Sequence, residues 1–409
     1  MSFRIALSGL AAAQASLDVT ANNIANANTN GFKQSRAEFT DVYATAFGSI
    51  GSLDTGAGVR LASVSQLFNQ GNIDFTGNAL DLAVNGEGFF VMNDQGSSVY
   101  SRAGAFRVDR DGYVVNVTGQ RLQAYPALNA QGTSFSTASL GDLQLLASTT
   151  PPNPTSTADI SLNMEAGATQ LGPGAIDTAD PATYNYSTSV VTYDSLGQPH
   201  TSALYFRKVD TATRTWDMRL EVDGDNTQTV AAQTLTFDSL GQLTSPQPVN
   251  FGAYDPGNGA AIMNVDFDFT GTTQYGSSFA VNSLFQDGFS TGRLSGLDID
   301  DTGVVLARFS NGQTAAMGKV ALANFANPQG LSPLGDSTWG DSFKAGDRRL
   351  GEPGAGSFGF LQSGALETSN VEITEELVSL ITAQRSFQAN AQVISAADTV
   401  TQTVINIGR

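Results

Sequence analysis

Gly288-Phe289-Ser290-Thr291-Gly292 has the G-x-S-x-G spacing of a nucleophile elbow. That chemistry needs a strand before the serine, a helix after it and a triad histidine further along the chain. The single histidine, His200, lies upstream, and Arg293 to Asp301 alternates like a strand. The passage therefore reads as a Gly-rich crossing between domains, and serine hydrolysis is excluded. Gly354-Ala355-Gly356-Ser357-Phe358-Gly359 satisfies G-x-G-x-x-G, but no strand precedes it and no helix follows to aim amides at a pyrophosphate. With 43 glycines in the chain, such a match is expected by chance. Asp298, Asp300, Thr302 and Gly303 imitate the start of a calcium loop, yet position twelve is Phe309 where a bidentate Glu is required. His200 has no second histidine to share a metal with and reads as a packing or surface residue. Cysteine is absent, which removes disulfides, thiolate nucleophiles and thiolate metal sites together. No catalytic, cofactor-binding or metal-ligating set remains, so the chain reads as a non-enzyme without a cofactor.

The pattern that does stand out lies at the two ends. Phe3, Leu7, Leu10, Leu17, Ala21 and Ile24 recur at steps of four and three or their sum, and so do Ile373, Leu377, Leu380, Phe387, Ala391 and Ile394. This rhythm keeps one apolar stripe along a slightly underwound helix, and a lone helix has nowhere to bury it. The first helix is expected over Phe3–Ala27, ended by Asn28-Thr29-Asn30-Gly31, and the last is expected to run some 35 residues, with Thr374-Glu375-Glu376 bringing acid to its first turn. Gln14 and Gln384 occupy seam positions where a buried polar group would fix register. The last helix also carries Val378, Ile381, Val393, Val400, Val404 and Ile407 on other faces, so it wants more than one neighbour. Each terminus needs a partner helix: the other terminus first, copies in neighbouring molecules next.

Between the helices the grammar is that of short strands. Phe89-Phe90-Val91-Met92, Phe106-Arg107-Val108 and Tyr113 to Val117 are β-rich runs, and Asp followed three residues later by Gly recurs at Asp109/Gly112, Asp194/Gly197, Asp238/Gly241 and Asp300/Gly303 as type I turns require. Pro151, Pro152 and Pro154 mark a boundary, and Gly288 to Gly292 marks the return. The expected organisation is therefore nested: residues 1–31 and 366–409 form a helical inner domain, 32–78 an extended connector including the run Phe47 to Gly58, 79–150 and 292–365 a proximal β domain, and 151–291 an inserted outer β domain. The fold class is mainly β with α-helical termini, two stacked β domains with one inserted in the other, and a paired-helix coiled-coil layer.

Composition narrows the partners. Twenty Lys and Arg stand against 38 Asp and Glu, a net charge of −18 that repels phosphate backbones and anionic lipid. Nucleic acid and the lipid bilayer are thus excluded as partners. Arg4 followed by Ile5 to Ala13 and Ala13-Gln14-Ala15 imitates a short leader with an A-x-A site, but Ser8 and Gly9 interrupt its apolar core and the helical stripe runs on past it. No stretch approaches the ~18 apolar residues of a transmembrane helix.

Ala21-Asn22-Asn23-Ile24-Ala25-Asn26 through Thr29-Asn30-Gly31-Phe32-Lys33 resembles the N-terminal signature of the bacterial flagellar axial family of rod and hook proteins. Ser369-Asn370-Val371, Glu376-Leu377-Val378 and Ala383-Gln384-Arg385-Ser386-Phe387-Gln388-Ala389-Asn390-Ala391 are similar to its C-terminal signature. Leu80 to Val84, Gly88-Phe89-Phe90 and Tyr100-Ser101-Arg102 are shared by rod and hook members, while Tyr193 to Gly197, Gln286-Asp287-Gly288, Ser310 to Gln313 and Ala321 to Leu331 point to the hook branch. The resemblance implies a structural subunit that self-assembles as a helical homopolymer into the flagellar hook, a flexible tube that transmits torque as a universal joint. It further implies an extracellular location reached without a cleaved signal peptide. The partners it implies are the distal rod protein, hook cap protein, hook-filament junction protein, hook-length control protein and the flagellar export apparatus. The alternative from another class is a secreted β-rich adhesin with a cleaved N-terminal leader.

Overall fold

The computed structural model describes residues 2–42, 56–129, 132–145, 149–225 and 233–407. It is mainly β, with α1 (Ser2–Ala25) and α2 (Ile373–Ile407) at the ends of the chain. The chain divides into two compact units, one of residues 1–146, 296–308 and 314–409 and the other of residues 147–295 and 309–313.

In the first unit, α1 and α2 pack against each other. At 1.5 Å per residue α1 is about 36 Å long. It stops two residues short of the expected Ala27, because the Asn26 amide is shared between the carbonyls of Asn22 and Asn23 and a run of turns follows. The segment expected as an extended connector carries more structure than its sequence suggested. β1 (Ser35–Asp41) and β2 (Val59–Gln66) pair antiparallel, with a register shift at Glu38/Phe39. An isolated two-stranded hairpin is marginal in water. This one leans on α1, where the Ser8 hydroxyl accepts from the Val59 amide at 3.2 Å. Most of the run Phe47 to Gly58 lies outside the described residues; the part within them, residues 56–58, leads into β2.

β3 (Ile73–Phe75) pairs with Ala365–Glu367, and β4 (Leu82–Asn85) with Phe360–Ser363, so the chain leading to α2 returns along the chain leaving α1. β5 (Phe89–Asp94) and β6 (Ser97–Ser101) form a hairpin that neighbours Arg121–Tyr125, Leu322–Phe325 and Thr338–Gly340. Its run Phe89-Phe90-Val91-Met92 does not alternate because both faces are covered. Phe90 and Met92 join Leu82, Leu122, Val320 and Leu322, whereas Phe89 and Val91 join Tyr100, Phe325 and Trp339.

In the second unit, strand Thr157–Glu165 pairs with Asp266–Asp268, Thr273–Tyr275 and Ala280–Gln286, and a four-strand meander runs Tyr186–Tyr193, Pro199–Asp210, Thr215–Val222 and Gln233–Thr236. Ile160 and Leu162 from the first sheet and Leu204, Phe206, Trp216 and Met218 from the second share one core with Phe267 and Phe269. The four expected Asp-x-x-Gly turns form alike: each Asp side chain accepts from the amides two and four residues on. Each glycine has φ between +77° and +84°.

Candidate assembly surface

The motifs that imitate catalytic sites are accounted for locally. The strand Gly292–Ile299 follows Ser290, and both ring nitrogens of His200 face carboxylates rather than a serine. A strand, Arg348–Gly351, does precede Gly354 to Gly359, contrary to expectation, but these residues turn into strand Phe360–Ser363 and no helix follows to receive a pyrophosphate. Asp300 closes a hairpin and Asp298 pairs with Arg308. Among the described residues no group of three or more His, Asp or Glu is placed to hold a metal ion.

The polar residues the sequence concentrates near Asn22 to Lys33 build a joint where α1 ends and α2 begins. Gly31 has φ +67°, and its amide donates to the Glu367 carbonyl at 2.8 Å. A Cβ there would stand 2.3 Å from the Ala103 amide nitrogen, so only glycine fits. Asn23, buried, donates to the Ser35 carbonyl and to Glu376 Oε1 and accepts from the Ser35 amide. Gln34 donates its side-chain amide to the same Glu376 oxygen and its backbone amide to Asn370 Oδ1. Asn370 in turn donates to the carbonyls of Leu67 and Asn69.

Beneath this lattice lies a fully buried ionic cluster. Lys33 Nζ is 2.6 Å from Glu367 Oε1 and donates to the Asn69 carbonyl at 2.8 Å. Arg102 reaches Glu367 Oε2 at 3.2 Å and donates to the carbonyls of Val84 and Gly86. Two cations on one carboxylate leave a net positive charge inside the fold, which the three backbone carbonyls solvate. Burial pulls both Lys33 and Arg102 below their ordinary values, against the raising influence of Glu367. Such a cluster is costly to break, because removing one partner strands the others out of water.

The helix pair itself departs from the seam expected of it. The buried side chains of α1 are Ala6, Ala13, Thr20 and Asn23, and those of α2 are Glu376 and Ala383. Leu10, Leu17 and Ile24 of α1 and Leu380, Phe387, Ala391 and Ile394 of α2 are half-buried beside that small-residue line. Phe3 and Leu7 remain 50% exposed, Ile373 46% and Leu377 45%, and Ala21 is exposed as well. Small residues let the backbones approach closely, so they take the inner positions and the larger side chains are displaced to the flanks. Gln14 and Gln384, expected inside the seam, are both exposed; Gln14 donates to Asp18 on its own helix. Of the other signature residues, Lys33 and Gly31 are buried, Asn26 and Phe32 half-buried, and Asn22 and Arg385 exposed. α2 further exposes Val378, Ile381, Val393, Val400 and Ile405. After the two helices have paired, the unit still presents apolar rows to its surroundings.

Glu367 was not singled out by sequence reasoning. Its one signal is a solitary carboxylate ahead of Ser369-Asn370, with its Lys33 partner 334 residues away.

Comparison with known proteins finds matches along most of the chain. Family models match at residues 3–33 (flagella basal body rod protein), 83–162 (flagellar hook protein FlgE/F/G D1 domain), 162–289 (flagellar basal body protein FlaE D2 domain) and 362–407 (flagellar basal body rod FlgEFG protein C-terminal). The chain is similar to the flagellar hook protein FlgE of Escherichia coli K12, 37% identical over 415 residues covering 100% of both chains. It is 36% identical to that of Salmonella typhimurium LT2 over 414 residues, again covering 100% of each. The hook protein of Treponema pallidum is 30% identical over 98% of each chain. Among solved structures, the Helicobacter pylori flagellar hook protein FlgE2 superposes with a TM-score of 0.56 at 14% identity, covering 72% of this chain and 100% of that one, a likeness of fold.

Proposed function

The chain belongs to the flagellar hook protein family, whose members are structural subunits of the bacterial flagellum, and we propose that its terminal helix pair forms the inner layer of the tube into which copies assemble. The observation that carries this reading is the set of apolar side chains left open once α1 and α2 have paired, above all Phe3, Leu7, Ile373 and Leu377. Fully burying such a side chain contributes roughly 1.5–3 kcal/mol, so one row gives neighbouring copies a substantial reason to pack before ordering costs are subtracted. The adhesin alternative is set aside, since hook protein relatives span the whole chain.

In this reading residues 1–31 and 366–409 are the polymer core, 79–150 with 292–365 a proximal β domain, and 151–291 an inserted outer domain. The hairpin of β1 and β2 braces the core from the side. The polar joint fixes where each helix enters its β unit, and the weakly charged outer surfaces, in a chain with only 14% charged residues, bind one another little. A firm core with yielding outer contacts bends while it rotates, which is how a tube transmits torque as a universal joint. Retention of the first helix belongs to the same proposal: cleavage near Ala15 would strip Ala6, Gly9 and Ala13 from α2. Rod-type terminal helices support docking on the distal rod protein at one end of the tube. The hook cap, hook-filament junction and hook-length control proteins and the export apparatus are the further partners proposed by family likeness, and no catalytic role is assigned.

Electron microscopy of the purified full chain under assembly conditions tests this directly. Tubes are the expected product; a species that stays monomeric across concentration and ionic strength would overturn it.

A further inference from the structure

His200 lies buried at the start of strand Pro199–Asp210, and its ring is held between two acids from different segments. Nδ1 is 2.6 Å from Asp223 Oδ2, just past strand Thr215–Val222, and Nε2 is 3.3 Å from Asp194 Oδ2 in the Asp194–Gln198 turn. A third segment joins through Asn258, whose side chain donates to that same Asp194 oxygen at 2.6 Å, and through the Ala261 amide, which donates to the Ser195 hydroxyl at 2.8 Å. Asp194 also accepts from the amides of Leu196 and Gln198, and Asp223 from the amide of Thr201.

A neutral imidazole has one N–H, and the imidazolium has two. Two carboxylate oxygens facing the two nitrogens are both satisfied only by the cation; the neutral ring turns a lone pair on one of them. The shorter contact to Asp223 keeps the remaining proton, so the contact to Asp194 is the one lost. The other charged or titratable groups nearby offer no competing cation: Tyr254 meets the ring edge-on at a centroid distance of 6.3 Å, and Asp225 and Asp255 lie close enough to act on Tyr254. Glu221, on the strand leading to Asp223, acts on Tyr205.

We propose that His200 is a pH-sensitive clamp that ties the Asp194–Gln198 turn, and with it the Asn258 loop that this turn carries, to the end of strand Thr215–Val222 while its ring is cationic, and loosens that tie when the ring is neutral. The turn and loop carry Leu196, 57% exposed, and Ile262, 65% exposed. Burial lowers the His200 pKa, but the hydrogen bonds to Asp223 and Asp194 outweigh it and the net direction is upward. A group raised in the folded state stabilises fully below its unfolded value, near 6.5, and that contribution is lost as pH rises through the folded value. The clamp is therefore closed in mild acid and opens toward alkaline pH. It lies within one chain, so its test is independent of tube formation.

Because His200 is the one histidine of the chain, the full-length protein labelled at histidine gives a single set of ring resonances. The expected result is a midpoint above 6.5 in the parent, displaced downward by Asp223→Asn, with a thermal unfolding midpoint that falls as pH rises through the ring titration. In His200→Gln that pH dependence is lost; Asp223→Asn, which keeps the ring and an amide in place of the carboxylate, preserves the test should the glutamine variant fail to fold. A parent ring titrating at or below 6.5, or a thermal midpoint indifferent to pH over that interval, would overturn the proposal.

Discussion

Gly9 of α1 lies against Asn390 of α2 so closely that a Cβ on Gly9 would stand 2.6 Å from Asn390 Oδ1. At this point of the helix pair the side chain of one partner fills the space that a side chain on the other would need. The obstructing atom is the end of an amide side chain that also donates to the Ser386 carbonyl, so a methyl group can be accommodated by turning it aside. Gly9→Ala is expected to change stability by under about 1 kcal/mol, the contact offset by helix propensity. Gly9→Leu cannot be accommodated and is expected to part the helices over that turn, read as fast amide exchange along α1 while the β units stay protected.

Gly31 and Gly77 both have positive φ, +67° and +75°, but the space around them differs. A Cβ on Gly31 meets Ala103 backbone at 2.3 Å, whereas Gly77 has nothing within 4 Å. Alanine at Gly77 should therefore cost only the left-handed strain, of order 1 kcal/mol. Alanine at Gly31 should cost at least twice as much and disturb the joint; chemical denaturation of both variants compares the two.

Glu367→Gln keeps the shape of the buried cluster and removes the carboxylate that Lys33 and Arg102 share, leaving only the more distant Glu87 to act on Arg102. Breaking a buried ionic group by taking one partner away costs about 3–5 kcal/mol. The expected outcome is a large drop in the denaturation midpoint of the first unit. A loss no larger than that of an exposed pair such as Arg36–Glu38 would mean the cluster is stabilised by its carbonyl contacts alone.

Asp194 gives a prediction at the acid end. Burial raises its pKa, but the bonds from Asn258, Gln198, His200 and Leu196 prevail and hold it down at about 2. A depressed carboxylate stabilises above its unfolded value, near 3.9, and loses that contribution as pH falls through the folded value. Asp194→Asn should thus weaken the second unit at pH 5 and converge with the parent near pH 2, seen as two unfolding curves that meet in strong acid.

Sequence carried the broad architecture because its signals were local. The Asp-x-x-Gly turns are written in four residues each, the Phe89-Phe90-Val91-Met92 strand in four more, and the helical stripes in their own period. What escaped was set by distant partners. β1 and β2 have no period to read because Arg36, Phe39, Thr40, Leu61 and Ala62 are exposed and the hairpin is held by α1. An apolar period picks out the largest residues, yet the buried apolar side chains of the pair are Ala6, Ala13 and Ala383, and small residues carry little weight in such a pattern. In the joint, Asn23 and Lys33 were legible as a signature, whereas Glu367, which holds the buried cluster together, was not, since nothing beside it in the chain reveals a cation to pair with.

The central claim is that apolar rows left open by a paired helix layer are covered by other copies of the chain. Leu377 belongs to such a row, 45% exposed, whereas Ala6, Ala13 and Ala383 are buried. The decisive measurement is electron microscopy of the parent and Leu377→Asp side by side under assembly conditions, with circular dichroism to establish that both are folded. The account predicts tubes from the parent and none from a fully folded variant. Tubes of equal number and length from Leu377→Asp would contradict it.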